Sequence, residues 1–266
     1  MVFNNPTDRP TSYTEETNTS TSKLVRLVED PDVVKTIRFD EISIETGDER
    51  IDVQGGGTKM GELGLVYPVI RINDMIIAMK NISSMTIYMT NFIPSIRLSL
   101  IYEDTTFISK NPPKDGDILS LFIRTNTDAI QYLRDDFVIT SCSTSKGSTG
   151  NTSTRIFISG KLFIPGFDSM SGTNGFTGSS KSVLKKVAKS YGLGFAFNDY
   201  DDTDDFQTWI QCREPSEAFI NSVVSHAWKN STSFFKAWID LYYNLCYVNV
   251  NKFLLSDENN EEVGQV

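Results

Sequence analysis

The sequence predicts an α+β protein in which an antiparallel β-barrel or sandwich, in residues 67–170, precedes a small α+β domain in residues 171–266. Three observations favour this class. Apolar and polar residues alternate through much of 67–165, residues typical of turns separate these runs, and apolar residues recur at helical spacing near the carboxyl end. Residues 1–66 are predicted to be a polar N-terminal arm followed by a Gly-rich linker.

The β-region begins with a predicted hairpin over 69–79, because Asn73 and Asp74 tolerate positive φ and separate two apolar runs. A second turn is predicted over 111–117, where proline fixes φ and glycine takes a dihedral that other residues avoid. Residues 143–154 are rich in Ser, Thr and Gly and predict a flexible hairpin tip. The remaining predicted strands are 82–89, 95–102, 118–124, 137–142 and 155–164.

Period-two alternation in 95–102 predicts that one face of this strand is buried and that the other meets solvent or a partner. The two sets of residues are Ile96, Leu98 and Leu100 against Arg97 and Ser99. Residues 118–124 are more continuously apolar, so we expect both faces of that strand to be covered. Before the β-region, 24–34 and 36–46 carry only weak strand character.

The composition limits the possible partners. The chain has 266 residues, a formal net charge of −9 and a pI of about 4.7. This acidity argues against a general nucleic-acid binder, because phosphate contacts need clustered Lys and Arg. No apolar run approaches the roughly 20 residues that span a bilayer, and the polar N-terminus lacks the apolar core of a secretory signal. We therefore predict no membrane association.

No catalytic, cofactor-binding or metal-binding residues are predicted. Cys142, Cys212 and Cys246 are far apart and odd in number, so we expect buried thiols in a reducing cytoplasm rather than a disulfide framework or a zinc site. The glycine-rich stretches 54–57 and 172–182 both lack the Gly-Lys-Ser/Thr succession that a phosphate-binding loop requires.

The stretch 172–182 is instead predicted to be a flexible linker that ends in a serine N-cap. A helix is predicted over 181–191, and Gly192 is expected to end it in the left-handed conformation. A second helix is predicted over 216–228, and a third opening at 231–233. The apolar residues at helical spacing in the third are Phe234, Phe235, Trp238 and Leu241. Short strands are predicted at 195–197 and 245–250.

The most acidic stretch is 199–205. A calcium-binding loop needs a glycine at its sixth position and a glutamate at its twelfth, and a loop starting at Asp199 has Asp204 and Ile210 there. We therefore predict a solvated acidic loop, and an adventitious cation site is the alternative.

His226 is the only histidine, and no nucleophile or carboxylate lies beside it in the helical pattern, so a packing or interface role is expected. Glu214, Glu217 and Asp240 are the candidate carboxylates for a glycoside-hydrolase pair. Five aromatic residues form either a core or a stacking surface for sugars or bases, and their spacing favours a core. They are Trp209, Trp228, Trp238, Phe234 and Phe235.

Several motifs follow one another between 67 and 255. They are YPVIRIN at 67–73, KDGD at 114–117, DFVI at 136–139, GKLFIP at 160–165, GSS at 178–180, GLGFA at 192–196 and WID at 238–240. This order resembles that of the baseplate hub proteins of contractile-tailed bacteriophages and of the related hub of contractile injection machines.

The resemblance implies a tube-type β-barrel that packs beside copies of itself in a ring, with the small α+β domain outside and the KDGD turn and the strands lining the ring. It implies a homo-oligomer, as a trimer or hexamer, located in the virion. The other implied partners are the tail tube or a tube-initiator protein, the central spike and further baseplate components. The family's usual subunit carries two tube-type domains, whereas this sequence shows one. Either the second lies on another chain, or the weak strands between 24 and 53 contribute to it.

The principal hypothesis is a non-enzymatic structural protein of a phage tail baseplate, with no cofactor and no specific nucleic-acid binding. The first alternative is a glycan- or protein-binding module that uses the Trp/Phe-rich carboxyl region. The second is a tail-associated cell-wall hydrolase. The negative net charge is expected to let DNA slide through a lumen rather than bind there.

Overall fold

The computed structural model describes residues 27–37, 39, 67–73, 75–102, 112–124, 133–146, 153–169 and 172–254. These residues fall into two compact units. The sheet unit contains the described residues between 39 and 163, and the α+β unit contains 27–37 together with the described residues between 164 and 254. The predicted arm over 1–22, the Gly-rich linker and the acidic carboxyl end lie outside the described residues.

Strands and helices in the described residues confirm the predicted α+β class. The strands are β1 Val28–Glu29, β2 Tyr67–Ile72, β3 Met75–Ile77, β4 Ile82–Tyr88, β5 Ser95–Tyr102, β6 Ile118–Arg124, β7 Leu133–Lys146, β8 Thr154–Leu162, β9 Thr173–Gly178, β10 Gly194–Phe197, β11 Gln207–Cys212, β12 Phe235–Ile239 and β13 Asn244–Asn249. The helices are α1 Ser180–Ser190, α2 Ser216–Ser225 and α3 Val250–Leu254, and a 3₁₀ turn spans Met79–Asn81. Within these described ranges, no helix has the length and hydropathy to cross a membrane.

The sheet unit is built on one curled antiparallel sheet of seven strands, a half-barrel with the order β3-β2-β6-β7-β8-β5-β4. The predicted hairpin over 69–79 is confirmed, because β2 pairs with β3 across a turn in which Asn73 has a φ of 51°. The predicted turn over 111–117 is also confirmed in its described part, where Gly116 has a φ of 90°.

The core of the sheet unit follows the alternation in the sequence. Ile96, Leu98 and Leu100 of β5 are buried, whereas Arg97 between them is exposed. They lie against the buried residues of β8, since Leu98 pairs with Ile158 in the ladder. Strand β6 is buried on both faces through its centre, as its continuous apolar run predicts.

Gly160 of β8 lies in a closely packed part of the sheet. A Cβ atom added there would lie 3.1 Å from the carbonyl oxygen of Val138, 3.2 Å from a methyl group of Ile96 and 3.3 Å from Cβ of Phe137. A bulge at the neighbouring position of β7 shifts the register between Ile139 and Ser141. The absence of a side chain at 160 therefore lets β5 and β7 close around β8.

The α+β unit contains a four-stranded sheet, with the order β1-β10-β13-β12, and a separate two-stranded sheet of β9 and β11. Strands β10 and β13 are parallel and are buried along their whole length, because they form the middle of the larger sheet. Helix α1 packs on both strands. Strand β1 reaches this sheet from far along the chain and pairs antiparallel with β10.

Helix α1 begins and ends as the sequence predicts. The hydroxyl of Ser179 accepts a hydrogen bond of 3.2 Å from the backbone N–H of Ser182. Gly192 follows the helix with a φ of 68°. The apolar stripe of α1 is buried, and it is formed by Val183, Leu184, Val187 and Ala188.

Two predictions in this unit are wrong. The stretch 172–182 is not a flexible linker, because Thr173–Gly178 forms β9 and pairs along its length with β11. The helix predicted to open at 231–233 is strand β12, whose buried residues include Phe235 and Ile239. A spacing of four places two residues on one side of a helix, but it also places them on one face of a strand. The ladder with β13 therefore decides between the two structures.

We expect Gly160→Val to lower the free energy of unfolding by about 1–3 kcal/mol, because backbone and core atoms surround the added side chain. The matched control is Gly175→Val in β9, where an added Cβ meets nothing within 4 Å. Urea unfolding followed by far-ultraviolet circular dichroism measures both. Equal unfolding free energies for the two variants would show that the sheet accommodates the extra volume.

Candidate assembly surface

Strand β7 extends well beyond the end of its neighbour β6. Strand β6 pairs with the first six residues of β7, whereas β8 pairs with β7 as far as Lys146. Gly116 and Asp117, in the turn before β6, hydrogen-bond the backbone of Ile139, and the segment of β7 that is paired on this side ends there. Among the described residues, no strand pairs with the backbone donors and acceptors of 140–146 on the side away from β8.

Strand β4 forms a second free edge. It is the last strand of the seven-stranded sheet, and no described strand lies on its outer side. Its sequence, ISSMTIY, contains neither the charged residues nor the proline that commonly protect an edge. These two edges bound a four-stranded panel, which we define as β4, β5, β8 and residues 139–146 of β7.

The outer face of the panel is polar, and the charged residues placed on it are cations. Two cross-strand rows run over it, Thr86–Arg97–Ser159–Ser141 and Ser84–Ser99–Phe157–Ser143. The panel contains no aspartate or glutamate, whereas Arg97, Arg155 and Lys161 lie on this face. The net charge of the chain, −9, therefore does not describe this face.

The acidic stretch 199–205 of the α+β unit is not simply solvated. The Asp199 carboxylate is 7% exposed and accepts hydrogen bonds from Lys229 at 2.8 Å and from Lys252 at 3.2 Å. Asn249 donates a third hydrogen bond to the same carboxylate, at 3.2 Å. Asp199 thus joins its loop to the turn before β12 and to helix α3, and the predicted solvated loop requires this correction.

These contacts change the ionisation of Asp199. Burial alone raises its pKa, but the hydrogen bonds from Lys229, Asn249 and Lys252 outweigh that effect and lower the pKa to about 2. The carboxylate is therefore charged at neutral pH. In the described part of the chain, no group of three or more His, Cys, Asp or Glu side chains is placed to hold a metal ion.

The N-terminus of α1 is occupied by the same acidic loop. The Asp205 carboxylate accepts a hydrogen bond of 2.9 Å from the backbone N–H of Ser180, and Ser179 donates to Asp202 at 2.6 Å. Lys181 is buried, and its ammonium donates to the carbonyl oxygens of 199, 200 and 201. These groups use the polar atoms that a phosphate-binding loop would offer to a ligand.

The candidate catalytic residues lie at the two ends of α2 and in the turn between β12 and β13. His226 ends α2, is exposed, and its Nδ1 lies 2.8 Å from the carbonyl oxygen of Ser222. Asp240 accepts hydrogen bonds from the backbone and side-chain nitrogens of Asn244 and so organises the β12–β13 turn. Glu217 lies in the first turn of α2, and Glu214 precedes that helix.

Of the five aromatic residues that were candidates for a core or a stacking surface, two are buried, two are exposed and Trp238 is half-buried. Trp209 and Phe235 are buried, whereas Trp228 is 51% exposed and Phe234 is 54% exposed. The indole of Trp209 donates to the carbonyl oxygen of Gly178 and lies against His226. The prediction of one aromatic core at helical spacing is therefore wrong, because these residues lie on two strands and a connecting turn.

In the described structure none of the three cysteines forms a disulfide, and only one is fully buried. Cys246 lies inside β13, Cys142 is half-buried in the panel and Cys212 is exposed. Burial, together with Asp115 and Asp117, raises the pKa of Cys142. The expectation of three buried thiols is thus wrong for Cys212, which lies on the outward face of β11.

Sequence reasoning missed the network around Asp199 and the free edge of β7. The partners of Asp199 lie about 30 to 50 positions away in the chain, so no local pattern indicates them. Strand β11 was also missed, because its burial alternates but its hydrophobicity does not: Gln211 is buried beside Trp209, whereas Ile210 is exposed.

No protein-family profile matches the chain, and no curated protein matches it. Among solved structures, it is similar to a 43 kDa tail protein of a Shewanella oneidensis prophage, with 14% identity, a TM-score of 0.47 and coverage of 69% of this chain and 53% of that one. A tail protein from Neisseria meningitidis aligns with 13% identity, a TM-score of 0.39 and coverage of 68% and 50%. An Escherichia coli type VI secretion component aligns with 11% identity, a TM-score of 0.38 and coverage of 70% and 45%. The chain thus spans about half the length of these structures or slightly less.

We expect Asp199→Asn to lower the stability of the α+β unit by about 1–3 kcal/mol at neutral pH, because charge-assisted hydrogen bonds are lost. The native carboxylate has a lowered pKa, so its contribution is complete above pH 4 and disappears as the pH falls through about 2. The variant should therefore lose stability less steeply than the wild type over this interval.

All three tryptophans lie in the α+β unit, so urea unfolding followed by their fluorescence at several pH values measures this effect. Asp201→Asn is the control, because Asp201 also pairs with Lys229 but its side chain is 76% exposed. Identical pH profiles for Asp199→Asn and the wild type would contradict the assignment.

Proposed function

We propose that this chain is a structural subunit of a phage tail baseplate, of the hub type, which forms a homo-oligomeric ring between the tail tube and the central spike. The order of motifs that resembles baseplate hub proteins supplies the location in the virion. The observation that carries the ring is the four-stranded panel with two free edges. In this proposal the protein has no catalytic role.

The strand directions are compatible with a closed ring in which rotational symmetry relates the copies. Neighbouring strands of the panel are antiparallel, so an even number of strands makes β4 and β7 run in opposite directions. Rotation about an axis roughly parallel to the strands then brings β7 of one copy against β4 of the next in antiparallel orientation. Every copy contributes one edge of each kind, so a closed ring leaves neither edge free.

The two edges are also matched in length. Strand β4 has seven residues, and the free part of β7, 140–146, has the same number. Ser and Thr make up three of the seven residues of β4 and five of the seven in 140–146, and neither stretch contains an acidic residue. Backbone hydrogen bonds would therefore supply most of the contact, and the continuous sheet would bury the apolar residues of β5 and β8 on one side and expose the polar face on the other.

We expect lysines on either edge to prevent assembly. The β4-edge variant is Ser84→Lys with Thr86→Lys, and the β7-edge variant is Ser143→Lys with Ser145→Lys. Each should raise the concentration needed for half-assembly by about tenfold or more, which corresponds to roughly 1.4 kcal/mol at the contact. Light scattering over a concentration series measures the particle mass.

Mixing the two edge variants tests the direction of the contact. Each variant keeps one intact edge, so the mixture should form pairs that cannot grow further, whereas neither variant pairs with itself. The control is Thr208→Lys with Asn221→Lys, at two exposed positions of the α+β unit. A wild-type monomer at every concentration would contradict the ring, and it would favour a binding module that uses the exposed Trp228 and Phe234.

A further inference from the structure

Phe157 lies in the middle of the panel's outer face and is 44% exposed. Its partners across the two neighbouring strands are Ser99 on β5 and Ser143 on β7. Both are small, so neither directly paired residue covers the ring. Tyr88 and Ile101 lie on the same face but are half-buried, so Phe157 is the large apolar side chain that the described panel exposes.

Two arginines flank Phe157 on the same face. Arg155 precedes it by two positions on β8, and Arg97 pairs with Ser159, which follows Phe157 by two positions. The Cα atoms of both arginines are therefore about 7 Å from the Cα atom of Phe157, along β8 for Arg155 and diagonally across to β5 for Arg97. The guanidinium of Arg97 lies 5.0 Å from the ring centroid of Tyr88 and donates a hydrogen bond of 3.4 Å to its hydroxyl. This contact holds Arg97 in place.

Along β8 the outward residues are Arg155, Phe157, Ser159 and Lys161. Cations, an aromatic ring and a hydroxyl thus alternate on one strand face, and no carboxylate occurs in the panel. A ring face between cations is the arrangement with which sheets bind unpaired bases and their phosphates.

We propose that the outer face of the panel binds single-stranded nucleic acid without sequence preference. A base stacks on Phe157, and phosphates on either side of that base contact Arg97 and Arg155. The serine hydroxyls beside the ring add hydrogen bonds to the backbone. The face is exposed in the single chain, so this proposal does not require the ring.

A single strand fits this face better than a duplex or an acidic polypeptide does. In a duplex the bases are stacked on one another, so the Phe157 ring would have no partner. An acidic polypeptide would pair with the arginines, but it would not use the open ring between them. The chain's charge of −9 opposes binding at long range, so affinity should be modest and should depend strongly on salt.

The test is fluorescence anisotropy of the full chain with a labelled oligothymidylate of about 12 nucleotides, a length within the usual range of sheet-based sites. We expect Phe157→Ser to weaken binding by about fivefold to a hundredfold through the loss of stacking. Phe157→Tyr should retain most of the affinity. The matched control is Phe234→Ser, which removes a phenylalanine of similar exposure from the α+β unit.

The salt dependence tests the arginines. Each phosphate contact on a single strand contributes about 0.7 to the slope of log affinity against log salt, so Arg97→Gln with Arg155→Gln should reduce the slope by about 1.4. Lys80→Gln with Lys189→Gln removes two exposed cations that lie outside the panel and should leave the slope unchanged.

Three results would overturn the proposal. One is the absence of salt-sensitive binding at about 50 mM salt. Another is an unchanged affinity in Phe157→Ser. The third is equal or tighter binding of a duplex or of polyglutamate, which would assign the face to another polyanion. None of these results bears on the ring, whose test is the particle mass of the edge variants.

Discussion

Among the described residues, strand β7 pairs with β6 over 133–138 and with β8 over 137–146, and the proposed assembly depends on this stagger. A strand's N–H and C=O groups need partners, which are water at an isolated edge and another strand in an assembly. This stagger arises inside the sheet, because β6 begins only after the turn over 114–117. It converts one antiparallel sheet into a panel with an edge at each side, and the panel's even number of strands makes those edges complementary under rotation.

A different constraint organises the α+β unit. Asp199 and Lys181 are both buried, and each is satisfied by groups from other segments of the chain. A buried charge without such partners would be costly, so the path of the acidic loop is tied to the positions of Lys229 and Asn249. The loop therefore stabilises the unit and caps α1. This also explains why a stretch with many carboxylates is not arranged as a cation site in the described structure.

For the proposed functions, the placement of the charged residues matters more than the net charge of the chain. The chain is acidic, yet the panel contains no carboxylate, and its outer face carries Arg97 and Arg155 around an exposed phenylalanine. The negative charge is thus segregated into other parts of the chain, such as the loop over 199–205. The proposed ring would use this separation, because the edges would contact copies of the chain through the backbone while the face keeps its own chemistry.

The sequence by itself determined the α+β class, the turns at Asn73 and Gly116, the alternation in β5 and the ends of α1. Each of these depends on residues within a few positions of one another, through φ preference, period-two burial or capping. The tertiary structure alone decided that 173–178 is a strand, that Phe235 and Ile239 lie on a strand rather than a helix, and that Asp199 is buried. It also decided where β7 extends beyond its pairing with β6. Those outcomes depend on partners that are distant in the chain, and hydrogen-bond pairing between distant segments has no local pattern from which it can be read.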